Sequence, residues 1–366
     1  MLLVNKKYLL NVKRGIVMKF GYWSPIFGGW LRNVENENMP ATFDYVKQVV
    51  QAAEKWGFDM TLVPELFLND IKGPEADVLD AWSTAAALAA VTEKIEILTA
   101  IRPGFHNPAV IAKAAANIDH ISKGRFNLNL VSAWWEEEAR QYAGQFTAHD
   151  DRYDRVEEYI DVLKGLWTED NFSYDGQYYQ IENAKLYPKP TQRPHPILYA
   201  GGESARGKRA IVDKCEAYVM HGGTVEEIAK KIAEMQELKA KAGKEPFSRF
   251  GMAAYVILRD TEEEAQAELA RITNVKETSG YAGFDDFTSK SQLEIDLELQ
   301  DYSVSNRGLR PNLVGTPEQI ADKILEYEKA GLDLLILQFS PHLEEMERFA
   351  KQVKPLVEAN RERIVQ

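Results

Sequence analysis

The sequence predicts an α/β fold, a closed (β/α)8 TIM barrel that forms one domain over residues 18–366. Short apolar runs typical of strands alternate with amphipathic helical patterns along almost the whole chain. Few connections suggest antiparallel pairing, which favours a parallel barrel. An open, doubly wound sheet is the alternative, but no G-x-G-x-x-G follows the first strand and no G-x-x-x-x-G-K-[ST] occurs anywhere. Residues 1–17 are predicted to be an N-terminal extension.

Eight strands are predicted, each a short apolar run next to turn residues. They cover residues 18–23, 59–63, 95–100, 125–132, 197–200, 217–220, 251–258 and 332–338. Helical patterns with a 3.6-residue period follow the strands. These patterns cover residues 42–56, 77–91, 108–120, 152–167, 204–213 and 224–242, a helix that begins at Thr261, and residues 316–330 and 343–360.

Three insertions interrupt this order. The first, residues 133–151 after the fourth strand, is rich in Trp, Glu and Tyr. The second, residues 172–186 before the fifth strand, has Asp175-Gly176 between two aromatic, alternating segments, which predicts a β-hairpin. The third, residues 274–312 after the seventh helix, is polar and is predicted to be a mobile lid. Because barrels carry function on such loops, we expect insertions to border the site.

Composition and charge exclude several classes of function. The net charge of −12 argues against a nucleic-acid or anionic-membrane partner, since both need a basic face. Cys215 is the only cysteine, so neither an intrachain disulfide nor a cysteine-based zinc site is possible. The six histidines show no H-x-x-x-H or H-x-H spacing, and no metal site is expected. The chain has neither a signal-peptide pattern nor an apolar run long enough to span a membrane, so a cytoplasmic location is expected.

Residues just past the strands of a barrel converge on one mouth. Glu65 follows the second strand after Pro64. The strand ends show no obvious pair of close carboxylates unless the Glu run at 136–138 folds inward, which disfavours a glycosidase. His221 follows the sixth strand and His342 precedes the last helix; packing or capping fits either one as well as catalysis does. The turn of residues 201–204, Gly-Gly-Glu-Ser, is compatible with a backbone anion site, with a tight turn capped by Ser204, or with both.

Long segments of the chain, taken together, resemble one known family. They include GFDMTLVPE, TAIRPGFHNPAVIAKAAANIDHISKGRFNLNLVSAWW, LKGLWTEDNFSYDGQYY, PKPTQRPHPILYAGGES and GLDLLILQFSPHLEEMERFA. From Met18 onward the chain resembles the flavin-dependent monooxygenases of the bacterial-luciferase-like superfamily, in the alkanesulfonate and dimethyl sulfone branch. The resemblance implies a barrel that binds reduced FMN (FMNH2) from a separate NAD(P)H-dependent flavin reductase. It also implies that O2 adds at flavin C4a, and that the resulting peroxyflavin cleaves a C–S bond of a small organosulfur compound.

The resemblance also implies roles for individual residues. Residues expected to bind the flavin are Ala100, Asn129, Ser132, Glu138, Arg152, Tyr153, Gly201, Gly202 and Ser204. Residues expected to move protons or contact the substrate are Glu65, His221, Tyr255 and His342.

The substrate is less well determined by this resemblance. Sulfonate enzymes carry a cysteine after the second strand and an arginine and a histidine in the seventh, where this chain has Pro64-Glu65, Ala253 and Tyr255. A sulfone is therefore favoured over a sulfonate, although Arg307 and Arg310 would reach an anion if the lid closed. The alternatives are a nitrogen-heterocycle or long-chain substrate, a deazaflavin oxidoreductase, a non-catalytic flavin-binding protein and a barrel hydrolase. A homo-oligomer, dimer or tetramer, is expected.

Overall fold

The predicted barrel is confirmed by a computed structural model, which describes residues 17–132, 135–142, 149–290 and 293–365. Its strands in chain order are β1 (Lys19–Trp23), β2 (Met60–Val63), β3 (Glu96–Ile101), β4 (Phe126–Leu130), β5 (Phe172–Asp175), β6 (Gln180–Ala184), β7 (Leu198–Ala200), β8 (Ala217–Met220), β9 (Arg249–Leu258), β10 (Leu313–Gly315) and β11 (Leu334–Gln338). Eight of them form a closed parallel ring in the order β1-β2-β3-β4-β7-β8-β9-β11. The ring closes through β1 and β11, where Lys19 is opposite Leu334 and Tyr22 is opposite Leu337.

Helices surround this ring. They are α1 (Phe43–Lys55), α2 (Ala81–Ala90), α3 (Pro108–Ile121), α4 (Glu136–Gln141), α5 (His149–Thr168), α6 (Ala205–Lys214), α7 (Val225–Lys241), α8 (Glu262–Ile272), α9 (Phe284–Lys290), α10 (Pro317–Ala330), α11 (His342–Gln352) and α12 (Lys354–Val365). Most helices that follow a strand begin at a side chain that accepts a hydrogen bond from a first-turn N–H group. These caps are Thr42, Asp80, Asn107, Ser204, Thr224, Thr261 and Thr316.

The insertions lie at the predicted places. The hairpin before the fifth barrel strand is confirmed as β5 and β6, which pair antiparallel. Residues 133–134 and 143–148 of the first insertion lie outside the described residues, as do residues 1–16 of the predicted extension. Between the described parts of the first insertion lies the short helix α4.

Besides the short helices α4 and α9 within the insertions, two features differ from the predicted elements. The last predicted helix is two helices that meet at Val353, because Pro355 has no N–H group with which to continue the first helix. Strand β10 was not predicted; it pairs with the last three residues of the ten-residue strand β9, beyond the ring.

Side chains close one end of the barrel and leave the other end open. Alternate strand residues fill the barrel: Met60, Leu62, Leu98, Tyr199, Ala217, Val219, Leu334 and Ile336. At the amino-terminal ends of the strands, Arg249 donates to Glu96 at 2.8 Å and to the Tyr199 hydroxyl at 2.7 Å, and Lys19 pairs with the same carboxylate. Side chains therefore close this end, and the carboxyl-terminal end is left for a cavity.

Candidate active site

A cavity of about 1460 Å³, including its open mouth, lies at the carboxyl-terminal ends of the barrel strands. Most of the predicted site residues line it: Glu65, Ala100, Asn129, Ser132, Arg152, Tyr153, Gly201, Gly202 and His221. Glu138, Ser204, Tyr255 and His342 do not form part of this wall. The convergence expected of strand ends thus brings together residues that are up to 156 positions apart, from Glu65 to His221.

Several polar atoms on the cavity wall are buried without a hydrogen-bond partner. They include the Asn129 Oδ1, the Ser132 Oγ and the Trp23 Nε1. A buried polar group that makes no hydrogen bond costs about 1–3 kcal/mol. A wall that keeps both donors and acceptors unpaired is suited to a ligand with polar edges.

The glycine turn after β7 is built for close approach. A Cβ atom on Gly201 would lie 2.5 Å from the backbone oxygen of Val219, so only glycine fits here without a backbone shift. Ser204 accepts the Gly207 N–H at 3.0 Å and caps α6, as the turn interpretation requires. Tyr153, on the cavity wall, makes a side-chain hydrogen bond with this serine, and burial raises the pKa of Tyr153.

Glu65 reaches the cavity wall from the loop after β2. Its Oε2 accepts the Arg102 N–H at 2.8 Å, and its Oε1 lies 2.8 Å from the His106 Nε2. His106 was not among the residues predicted to form the site. The residue lies in the loop after β3, within the region where strand ends converge, but five positions beyond the end of the strand.

The structure places Glu138 behind the cavity wall. Its Oε1 accepts the Phe67 N–H at 2.6 Å and the Leu68 N–H at 3.3 Å, and both of its oxygens pair with the Arg102 guanidinium. The same guanidinium lies 3.6 Å from the Glu65 Oε2. Glu138 therefore attaches the first insertion to the loop after β2.

Tyr255 and His342 are also set back from the cavity. Tyr255 is buried and makes a side-chain hydrogen bond with Ser340. His342 is fully buried, and its Nδ1 accepts the indole N–H of Trp30 at 3.3 Å. Burial lowers the pKa of His342 to about 3, so the ring is neutral at pH 7. Trp30 lines the cavity, so its indole connects His342 to the cavity wall.

His221 lies on the cavity wall beside a buried group of charges. Its Nδ1 lies 2.5 Å from the Arg307 Nη2, which also donates to the Glu203 Oε1 at 2.5 Å. Burial and the Arg307 charge lower the pKa of His221 to about 3. Burial by itself would raise the pKa of Glu203, but Arg307 and Lys231 hold it well below its usual range. The third insertion thus reaches the site, but Arg307 is held in an ion pair, as Arg310 is with Glu227.

Two further observations concern the described residues as a whole. No group of three or more His, Cys, Asp or Glu side chains in this part of the chain is placed to hold a metal ion. None of the helices within the described ranges combines the length and the apolar character that a membrane span requires.

Comparisons with known proteins agree with this architecture. The family model for luciferase-like monooxygenases matches residues 18–334. An FMNH2-dependent dimethylsulfone monooxygenase of Pseudomonas putida is 36% identical over 93% of this chain and 95% of its own. Another of that name, from Pseudomonas fluorescens (strain Pf0-1), is 33% identical over 93% and 94%.

Among solved structures, a riboflavin lyase with modified FMN and riboflavin superposes with a TM-score of 0.79. The superposition covers 94% of this chain and 92% of the lyase at 21% identity, so it shows a shared fold. The match of the family model to most of the chain and the two relatives above 30% identity together establish that this chain belongs to the luciferase-like monooxygenase family.

Proposed function

We propose that this chain is an FMNH2-dependent monooxygenase that cleaves a C–S bond of a small organosulfur compound, a sulfone in preference to a sulfonate. The observation that carries the proposal is the 33–36% identity to two dimethylsulfone monooxygenases over nearly the full length of each chain. The cavity at the barrel mouth supports it, because the active sites of TIM-barrel enzymes lie there.

The residues on the cavity wall fit reduced FMN. Asn129 and Ser132, whose oxygen atoms are buried and unpaired, would hold the polar edge of the isoalloxazine ring. The turn at Gly201, together with Tyr153 and the N-terminus of α6, would hold the phosphate. When bound, reduced FMN would react with O2 and transfer one oxygen atom to the substrate. A separate flavin reductase would supply the reduced FMN.

The charges around the cavity favour a neutral substrate. The Arg32 Nη2 donates to the Asp70 Oδ2 at 2.8 Å, and both residues line the cavity. Arg307 is paired with Glu203 in the same way. An anionic sulfonate would lose its hydration without gaining an uncompensated cation from either pair, whereas a sulfone carries no net charge.

The remaining wall is largely apolar and would keep water away from the reacting groups. It includes Trp23, Phe27, Trp30, Leu62, Ile71, Val131, Met220, Phe287 and Leu293. A dry site protects reactive intermediates from hydrolysis, and this matters for oxygen transfer. The last two of these residues belong to the third insertion, so this segment forms part of the enclosure, consistent with the lid predicted from the sequence.

The test is a substrate panel with an unrelated flavin reductase, NAD(P)H, FMN and O2. We expect sulfinate release from dimethyl sulfone with a higher kcat/KM than any release from methanesulfonate. Absence of product from every sulfone and sulfonate, despite tight FMNH2 binding, would reject the organosulfur substrate. Titration with reduced FMN and with reduced deazaflavin separates the proposed cofactor from its alternative.

The Asp70→Asn variant tests whether the Arg32–Asp70 ion pair selects for a neutral substrate. This variant removes the negative charge that balances Arg32, so the positive charge of this guanidinium on the cavity wall becomes uncompensated. We expect the ratio of kcat/KM for methanesulfonate to that for dimethyl sulfone to rise. A ratio equal to that of the wild type would show that this ion pair does not select for a neutral substrate.

A further inference from the structure

The hydrogen bond between Arg307 and His221 determines where the imidazole carries its proton. An arginine side chain has only donors and stays protonated in proteins, so it cannot accept a hydrogen bond. The Nδ1 of His221, 2.5 Å from the Arg307 Nη2, must therefore be the acceptor. A neutral imidazole with an accepting Nδ1 carries its proton on Nε2.

The position of Arg307 is set by the backbone as well as by charge. The Gly222 N–H, next to His221, donates to the Asn306 carbonyl at 2.9 Å. A Cβ atom on Gly222 would lie 2.1 Å from the Arg307 carbonyl oxygen, so the 305–307 turn packs directly on the end of β8. On its other side, Arg307 is held by Glu203.

We infer that Arg307 is a positioning residue that keeps His221 in the Nε2–H tautomer, so that His221 donates a hydrogen bond to an oxygen of the bound ligand. His221 lines the cavity, and no other described side chain makes a hydrogen bond to its Nε2. The inference deepens the proposed function and rests on it only in placing the ligand in this cavity. Of the two roles predicted for His221, moving protons or contacting the substrate, the inference favours contact with the ligand through a donated hydrogen bond.

The charged groups that face His221 are consistent with this role. Arg307 comes from the third insertion, Glu203 from the turn after β7, and Lys231 from α7. Lys231 donates to Glu203 at 2.7 Å, so this carboxylate is shared between two cations. Burial and Arg307 keep the pKa of His221 far below neutrality, and its donor N–H persists across the physiological pH range.

This arrangement is opposite to that of a histidine base. A carboxylate at Nδ1 accepts its proton and leaves Nε2 free to take one from the substrate. A guanidinium at Nδ1 donates to the ring and leaves Nε2 with a proton to share. The matching ligand group is an oxygen with free lone pairs, either the sulfonyl oxygen of a substrate or a carbonyl or phosphate oxygen of FMN.

The tautomer can be measured directly by 15N NMR of the histidine rings in the flavin-free protein. The signal of His221 among the six histidines is assigned by its loss in His221→Gln. In the wild type we expect the Nε2–H tautomer and no titration between pH 5 and pH 9. A proton on Nδ1, or a titration between pH 5 and pH 8, would overturn the inference whether or not the enzyme acts on sulfones.

Variants of Arg307 test the cause. In Arg307→Met we expect the pKa of His221 to rise towards its usual value, because the cation is gone and Glu203 remains. In Arg307→Lys the new side chain can also only donate hydrogen bonds, so we expect the Nε2–H tautomer to persist. This variant provides the test if Arg307→Met does not fold. Arg310→Met is the matched control, since Arg310 lies in the same insertion but pairs with Glu227. An Nε2–H tautomer that persists unchanged in Arg307→Met would overturn the positioning role.

Binding measurements show whether the oxygen that accepts the His221 hydrogen bond belongs to the substrate or to FMN. A hydrogen bond of about 1 kcal/mol corresponds to roughly a fivefold change in affinity. His221→Phe should weaken FMNH2 binding by this factor if the flavin is the acceptor, or raise the KM of the sulfone if the substrate is. His221→Gln, which keeps an N–H group near Nε2, should recover part of the loss. If neither constant changes in His221→Phe, the donor role is refuted.

Discussion

Glu138 allows a sharp test, because the sequence resemblance and the structure assign it different roles. The resemblance predicts that it lines the flavin, whereas the structure places it behind the cavity wall as a buried partner of Arg102. Glu138→Gln keeps one oxygen for the Phe67 N–H but turns an amide donor towards the guanidinium. The structure therefore predicts a loss of stability, and the resemblance predicts a loss of flavin affinity.

The size of the effect follows from the contacts of Arg102. Breaking a buried ion pair by removing one partner costs about 3–5 kcal/mol. Arg102 keeps a second carboxylate, since its Nε lies 3.6 Å from the Glu65 Oε2. We therefore expect the lower end of this range, about 3 kcal/mol of unfolding free energy.

The assay is urea-induced unfolding followed by tryptophan fluorescence, combined with FMNH2 titration of the folded protein. Glu137→Gln is the matched control, because Glu137 is the exposed neighbour on α4 and its change should stay within about 0.5 kcal/mol. If Glu138→Gln is as stable as this control and its flavin affinity falls, the structural assignment is refuted.

Three further predictions concern other parts of the chain. Burial raises the pKa of Asp333 to about 6, so the folded protein binds this proton more tightly than the unfolded chain and gains stability as pH falls from 6 to 4. Asp333→Asn keeps an oxygen for the Phe250 N–H, so its stability should lack this gain between pH 6 and pH 4. If the variant unfolds with the same pH dependence as the wild type, the prediction is wrong. Burial raises the pKa of the Cys215 thiol to about 12, so we expect a thiol reagent to modify it only after denaturation; rapid labelling of native protein would be inconsistent with this. Gly201→Ala should cost about 1–3 kcal/mol, measured by urea unfolding, because its Cβ atom would meet the Val219 carbonyl; unchanged stability would show that the turn can shift.

Local patterns in the sequence were sufficient for the barrel and for part of its mouth. Strand and helix periodicity depends on neighbouring residues only, so the eight strands and the hairpin were predictable from short windows. The cap at Ser204 was predictable for the same reason, because its hydrogen bond joins residues three positions apart. The strand β10 was not, since it exists only where it pairs with the end of β9.

The placement of individual side chains depended on contacts between distant segments. His342 and Tyr255 lie near strand ends in the sequence, yet neighbouring elements separate both from the cavity. Trp30, from the loop after β1, lines the cavity and donates its indole N–H to the buried His342. The Gly308 carbonyl accepts the Tyr255 N–H at 2.7 Å, so the returning third insertion covers that part of β9.

The sequence by itself determined the fold class, the positions of the insertions and the family resemblance, because each is encoded in runs of adjacent residues. Only the tertiary structure decided which of the converging side chains reach the cavity and in which chemical state. That outcome depends on charges brought together by folding: Arg102 draws Glu138 away from the site, and Arg307 makes His221 a donor. Such pairs join positions 36 and 86 residues apart, and no local pattern contains them.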